Sequence, residues 1–420
     1  MNFKTDTNCS YIEKQIKSLE KLTDEDRPFT RLVFSKKFYE ARSWLSEQFN
    51  VLGLSISTDE AGNLIGLLKS NNETNKVVIV GSHIDTVPSG GRYDGTAGVV
   101  SGLCLIKHIK ENNIELPFNL AIYDFLGEEL NEWGTSCIGS RGIAGVLNEE
   151  ILLRQNSSGK ILKDEINKIG GNSKLLNKPL PVVKNILACL ELHIEQGKVL
   201  EERKIDIGVV KSIPSISRFK VIVSGQAGHS GTILMNQRAD ALVSASKIIT
   251  FVNKLALKMS KNSNQHFVST IGKIDVLPNS AAIIPGLVEM TIDLRATSQK
   301  SRQEFINTLE EEISSLNNTD TCQINIEDIA FAPFVEMDKE LINLFKSSSD
   351  SLGFSSNIMD SGAGHDTAQL SRVAPAAMIF IPCKDGLSHC PEEFAEVSDI
   401  AKGTAVLYKM IENLAELNVN

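Results

Sequence analysis

Five residues carry the chemistry that this sequence suggests first: His83, Asp94, Glu129, His193 and His389. Each stands at or just beyond the carboxyl end of an expected buried strand, and each is a ligand for hard or borderline metal ions. Imidazole with carboxylate and no thiolate suits zinc, manganese, cobalt or nickel. Two ions about 3.5–4 Å apart need one bridging carboxylate and further ligands for each, and five residues suffice. His83-x-Asp85 alone is weak, because a histidine at a strand end is more often a hydrogen-bonded structural residue. Asp85, two residues further on, is placed to accept the second imidazole N–H and orient the ring. The adjacent carboxylates Glu128 and Glu129 point in different directions from an extended backbone. One can then bind metal while the other stays free as a general base for water. A Glu-Glu pair is usually solvated surface, so the joint placement carries the argument.

Such residues need strands to deliver them. Short apolar runs at 77–80, 120–126, 186–192 and 377–381 have the composition of strands buried on both faces. Each is followed at once by one of the polar groups, and in open α/β sheets that rim is where sites are built. Helices are expected over 11–22 and 31–52, and from about Gly95 to Asn112. Between 214 and 332 the rhythm changes to strand, helix, strand, strand, helix, strand, the order of a ferredoxin-like sandwich. Strand and loop patterns of the first kind resume afterwards. The second domain, 214–330, is therefore expected as an insertion into a first one made of 1–213 and 331–420.

Composition narrows the class. With 420 residues, 42% hydrophobic and 23% charged, the chain is ordinary globular protein with room for two domains. A net charge of −9 argues against a nucleic-acid partner. No apolar run approaches the ~20 residues of a membrane span, and the first residues have no signal-peptide pattern. Seven scattered cysteines without a C-x-x-C pair give neither a disulfide framework nor a thiolate zinc site. Reduced thiols and a cytoplasmic location are expected. Cys390 beside His389 is read as a chance neighbour, since adjacent residues rarely face each other as a nucleophile pair.

Several runs resemble those of the hydantoinase/carbamoylase-type amidases of the dinuclear-zinc aminoacylase and carboxypeptidase superfamily. They are Gly81-Ser82-His83-Ile84-Asp85-Thr86-Val87-Pro88, Gly90-Gly91-Arg92-Tyr93-Asp94-Gly95 and Gly139-Ser140-Arg141. Leu192-His193-Ile194-Glu195-Gln196-Gly197, Ser361-Gly362-Ala363-Gly364-His365-Asp366 and Ser388-His389-Cys390-Pro391-Glu392-Glu393 complete the set. Together they cover about residues 10–415.

The resemblance implies an α/β fold: a mixed-sheet, metallo-aminopeptidase-like catalytic domain with an inserted ferredoxin-like α+β lid and dimerisation domain. It implies two divalent metal ions per subunit, one held by His83, Asp94 and His193, the other by Asp94, Glu129 and His389. Glu128 would be the general base and His229 an oxyanion donor. Gln196, Arg218, Asn279, Arg295 and His365 match substrate-facing positions, with Arg295 suited to a substrate carboxylate through paired hydrogen bonds. Arg295 can also be read as an ordinary surface salt-bridge residue.

The expected reaction is hydrolysis of a ureido C–N bond in a small carboxylate-bearing substrate, an N-carbamoyl-L-amino acid. Allantoate amidohydrolase and β-ureidopropionase are the near alternatives. An N-acyl amino-acid hydrolase or peptidase, or a metal-binding protein without activity, is more distant. A homodimer through the lid is implied, as is a cis peptide at Asp94–Gly95. Two departures, Gly127 before the Glu pair and Cys390 after His389, replace no ligand.

Overall fold

The computed structural model describes Phe3, residues 5–261 and residues 266–418. A nine-stranded mixed sheet forms around four consecutive, mutually parallel strands: Asn119–Asp124, Val77–Ser82, Ile186–Ile194 and Ala376–Ile381. They are almost wholly buried, as runs of Val, Ile, Leu and Ala without a polar face require. Leu64–Leu68 extends the sheet antiparallel on one side and Ile207–Ile213 on the other. Because the central strands run parallel, their carboxyl ends share one rim.

The helix Thr96–Glu111 buries residues all round, which is the behaviour of a helix inside a core rather than on a surface. It packs with Thr5–Glu20 and Val397–Asn418, and the latter also packs against Lys339–Ser351. No helix among the described residues is long and apolar enough to cross a membrane.

The expected 31–52 helix is shorter, Lys36–Val51, because Ser35 accepts the N–H of Phe38 and caps it. That frees Arg31 for another task. Its buried guanidinium donates to the carbonyls of Ile84 (2.6 Å), Leu22 (3.0 Å) and Leu19 (3.2 Å) and reaches the Thr96 hydroxyl.

Two compact units divide the chain: 1–211, 336–359 and 365–420 form the first, 212–335 and 360–364 the second. The short 360–364 piece thus joins the second unit, although it lies within the 331–420 stretch expected to belong to the first domain. The second unit has a four-stranded antiparallel sheet in the order Gln323–Ala332, Ser215–Ser224, Leu287–Ala296, Phe267–Leu277. Burial alternates along its two central strands, and the inward residues meet the helices Ala241–Lys261 and Gln299–Thr319. A two-strand pair, Gly228–His229 with Ile283–Ile284, is added to it.

One buried ion pair ties the first unit's rim together. Arg42 donates from Nε to Asp124 Oδ2 at 2.7 Å, from Nη1 to Gly62 O at 2.6 Å and from Nη2 to Asp124 O at 3.1 Å. The other carboxylate oxygen of Asp124 takes the N–H of Ile84, next to His83. Removing one member strands a buried charge, at a cost of about 3–5 kcal/mol. Arg42→Leu is expected to lower the urea unfolding free energy by that amount. Arg42→Lys should recover little, since a single ammonium cannot reach three acceptors in this fork geometry.

Candidate metal centre

The rim of the large sheet gathers the five ligand-type residues into two groups. His83, Asp94 and His193 form one, and Asp94, Glu129 and His389 the other, with all candidate ligand atoms in each group within 4.8 Å of one another. Asp94 belongs to both. Its Oδ1 lies 3.4 Å from His83 Nε2 and 3.1 Å from His193 Nε2, and its Oδ2 lies 3.4 Å from His389 Nε2. His389 Nε2 is also 3.4 Å from Glu129 Oε1.

The local chain explains the orientation. Nδ1 of His83 sits 3.0 Å from Asp85 O and Nδ1 of His193 sits 2.9 Å from Ile194 O. A carbonyl only accepts, so Nδ1 carries a proton; once the ring is neutral, the Nε2 lone pair is left toward Asp94, and that of His193 also meets the Gly95 N–H at 3.1 Å. Gly95 takes φ +61 directly against the His83 ring, where an added Cβ would come within 2.4 Å. That positive φ makes the turn, and the Asp94–Gly95 bond is not among the cis peptides, so the expected cis bond is corrected.

Asp85 also differs from expectation. Its backbone carbonyl, not its carboxylate, meets the His83 ring; the carboxylate stands 3.6 Å away. Instead its two oxygens accept the N–H groups of Glu128 (3.1 Å) and Glu129 (3.2 Å). Asp85 therefore aims the carboxylate pair. Glu128 Oε2 approaches His83 Nε2 at 3.8 Å, while the thiol of Cys137 donates to its Oε1 at 3.4 Å.

Of the other expected site residues in this unit, Gln196 donates from Nε2 to Asp94 Oδ2 at 2.6 Å. His365 is buried and packs edge-on against His193, with ring centroids 4.7 Å apart. Four expected residues lie in the second unit. Asp293 stands between Arg218 and Arg295, 3.0 Å from the Nε of each, and Arg295 Nη1 donates to Gly362 O. His229 is exposed and accepts the Gly231 N–H on Nδ1 at 3.0 Å. Asn279 is exposed at φ +56.

Buried groups that the sequence reading did not single out complete the surroundings. Glu191 accepts from the Ser82 and Thr367 hydroxyls, and Asp366 accepts from the Ser140 hydroxyl at 2.5 Å. Glu393 accepts the N–H groups of Tyr93 and Asp94. Their motif neighbours were visible, but a buried carboxylate has no signature that separates it from a solvated one.

Electrostatics follow from burial. Burial pushes the Glu128 carboxyl up to about 7, with Asp85, Asp94 and Glu191 adding and His83 opposing. Burial likewise raises Glu129 strongly. Burial also disfavours charge on His193, but Asp94 more than offsets it and holds the imidazole at about 8. His389 rises to about 9 through its contact with Asp94. Burial works against ionised Asp94, yet the three histidines keep it well below the usual carboxylate range.

The donor set fits a pair of divalent cations. His83 Nε2 is fully buried without a hydrogen-bond partner, and more carboxylate is buried here than imidazole can neutralise. A mixed sheet with such a rim defines a metal-binding hydrolase class. The chain belongs to peptidase family M20/M25/M40, whose model matches residues 79–413.

It is 34% identical over 389 residues to an N-carbamoyl-L-amino-acid amidohydrolase of Pseudomonas sp., covering 92% of this chain and 93% of that one. It is 31% identical over 391 residues to an allantoate amidohydrolase of Bacillus subtilis, covering 93% of each. Among solved structures, a hydantoinase/carbamoylase family amidase of Burkholderia multivorans superposes with a TM-score of 0.86. That likeness comes at 27% identity and covers 99% of this chain and 98% of the other.

Protonated imidazole cannot bind metal. With His83 raised, His193 at about 8 and His389 at about 9, metal uptake at neutral pH is expected to expel protons, and affinity is expected to rise with pH above neutrality. Calorimetric titration with zinc at pH 7 in buffers of different ionisation enthalpy is expected to report proton release. That release should shrink toward pH 9. Uptake without proton release at pH 7 would contradict it.

Proposed function

We propose that this chain is a cytoplasmic, metal-dependent amidohydrolase that cleaves the carbamoyl C–N bond of an N-carbamoyl-L-amino acid. The products are the amino acid, ammonia and carbon dioxide. The carrying observation is Asp94 shared between two ligand groups with a separate buried carboxylate, Glu128, beside them. It occurs in a chain similar over most of its length to proteins named N-carbamoyl-L-amino-acid amidohydrolase.

Two divalent ions, held by His83, Asp94 and His193 and by Asp94, Glu129 and His389, would supply Lewis-acid polarisation and lower the pKa of water. Glu128 takes the proton of the attacking water and returns it to the leaving nitrogen. A carboxyl that burial pushes upward holds a proton more readily than a solvated one, which suits a group that must take and return it. His229 accepts on Nδ1, so its neutral ring carries the proton on Nε2, a donor for a developing oxyanion. Arg295, assisted by Arg218 and Asn279, is the group proposed to pair with the substrate carboxylate, and Gln196 and His365 are the further residues proposed to face substrate.

A homodimer through 214–330 belongs to the same reading. Val268, Ile274, Ile329 and Phe331 are exposed apolar residues on the two edge strands of that unit's sheet, and strand edges are where a second copy can add. The seven free cysteines suit a reducing compartment. Allantoate is the second substrate to consider, because the Bacillus subtilis relative bears that activity in its name.

Ammonia release from N-carbamoyl-L-amino acids, N-carbamoyl-β-alanine and allantoate, each with zinc, manganese, cobalt or nickel, tests the substrate. No release from any of them would defeat the reading. Glu128→Gln is expected to keep two metals and lose about 10²–10⁴-fold in kcat. Near-normal turnover would remove Glu128 from the mechanism. Arg295→Ala should chiefly raise KM, and an unchanged KM would point to a structural arginine.

A further inference from the structure

We infer that Glu393 is the positioning residue that sets the distance between Asp94 and His389, and so creates the second metal position. The inference rests on the two-metal reading above.

Glu393 is 0% exposed, whereas its neighbour Glu392 is on the surface. Its Oε1 accepts two consecutive backbone N–H groups, Tyr93 at 2.7 Å and Asp94 at 3.0 Å. The Ser388 hydroxyl lies 2.8 Å from its Oε2 and 2.7 Å from Asp94 Oδ2. One carboxyl therefore joins the residue before His389 to the backbone that presents Asp94, which lies 299 positions earlier in the sequence than Glu393.

His389 needs that hold more than the other ligands. It lies outside regular structure, its side chain is 48% exposed, and its backbone sits at φ +58, which a histidine seldom adopts. Such a conformation persists only when its surroundings enforce it. His83 and His193, by contrast, directly follow or end buried strands and are anchored by their own Nδ1 contacts. Loss of Glu393 should therefore release one position and leave the other.

The packing supplies a second, independent handle. Gly91 has no left-handed φ, yet a Cβ there would meet the Glu393 carboxyl group at 1.9 Å. Gly91→Ala thus displaces Glu393 without changing it. Glu393→Gln keeps an acceptor for the two backbone donors and offers an N–H toward Ser388.

Each variant, stripped with a chelator, is titrated with zinc alone, and stoichiometry and affinity are read by calorimetry and elemental analysis. Wild type should bind two ions. Glu393→Ala should bind one normally and the other about 10–100-fold more weakly, the usual effect of removing a partner that orients a ligand. Glu393→Gln should restore most of the second affinity. Gly91→Ala should mimic Glu393→Ala and add nothing in a Glu393→Ala background, because both act through one group.

Two ions bound to Glu393→Ala as tightly as to wild type would overturn the inference alone. So would equal weakening of both positions with a lowered melting temperature of the metal-free protein, which marks a general structural role. Fewer than two zinc ions in wild type would overturn the two-metal reading and this inference with it.

Discussion

A single buried carboxylate, Asp94, is the constraint that the rim of the large sheet is built around. Three imidazoles, the Gln196 amide and the Ser388 hydroxyl converge on its two oxygens. Asp85, Glu128, Glu129, Glu191, Asp366 and Glu393 are buried in the same neighbourhood. Burial itself pushes Glu128, Glu129 and Asp366 upward, and repulsion among carboxylates packed together out of water adds to it. Three histidines cannot balance that many acids. Divalent cations can, and each would add attraction without adding another hydrogen-bonding group to satisfy.

The scaffold meets this electrostatic demand with backbone groups as much as with side chains. Asp85 takes two successive amides and thereby aims Glu128 and Glu129 in different directions. Glu393 takes two more at Tyr93 and Asp94. Arg31 and Arg42 are both buried; Arg31 binds the Ile84 carbonyl just after His83, and Arg42 binds Asp124 at the end of the strand that leads to Glu128 and Glu129 together with the Gly62 carbonyl of a neighbouring turn. Rigid strand ends locate His83 and His193, loops beyond the strands carry Asp94, Glu129 and His389, and these bonds orient them.

Much of this was legible in the sequence because two signals are strictly local. Unbroken apolar runs identify the four central strands, and the polar residue after each run identifies the rim. Alternation over 218–224 likewise identifies a strand with one buried face, which the structure extends to Ser215–Ser224. Other features depended on distant partners. Arg31 continues a plausible helical pattern, and only the Ser35 cap and three remote carbonyls remove it. Glu392 and Glu393 are identical letters with opposite burial. The carboxylate of Asp85 could not be assigned to amides 43 and 44 residues away, so the nearer histidine looked like its partner.

The second unit poses a different charge problem, and its answer bears on what kind of molecule it can meet. Asp293 bonds to the Nε of Arg218 and of Arg295, so one anion is shared by two cations. An ordinary surface salt bridge would be one to one and would leave little field. Here the trio keeps a net positive charge while Asp293 fixes the planes of both guanidiniums, and Gly362 O takes one further N–H of Arg295. The remaining donors point from a half-buried place where water screens them only partly. In the proposed function, such forks would meet the substrate carboxylate, which can accept two parallel N–H bonds.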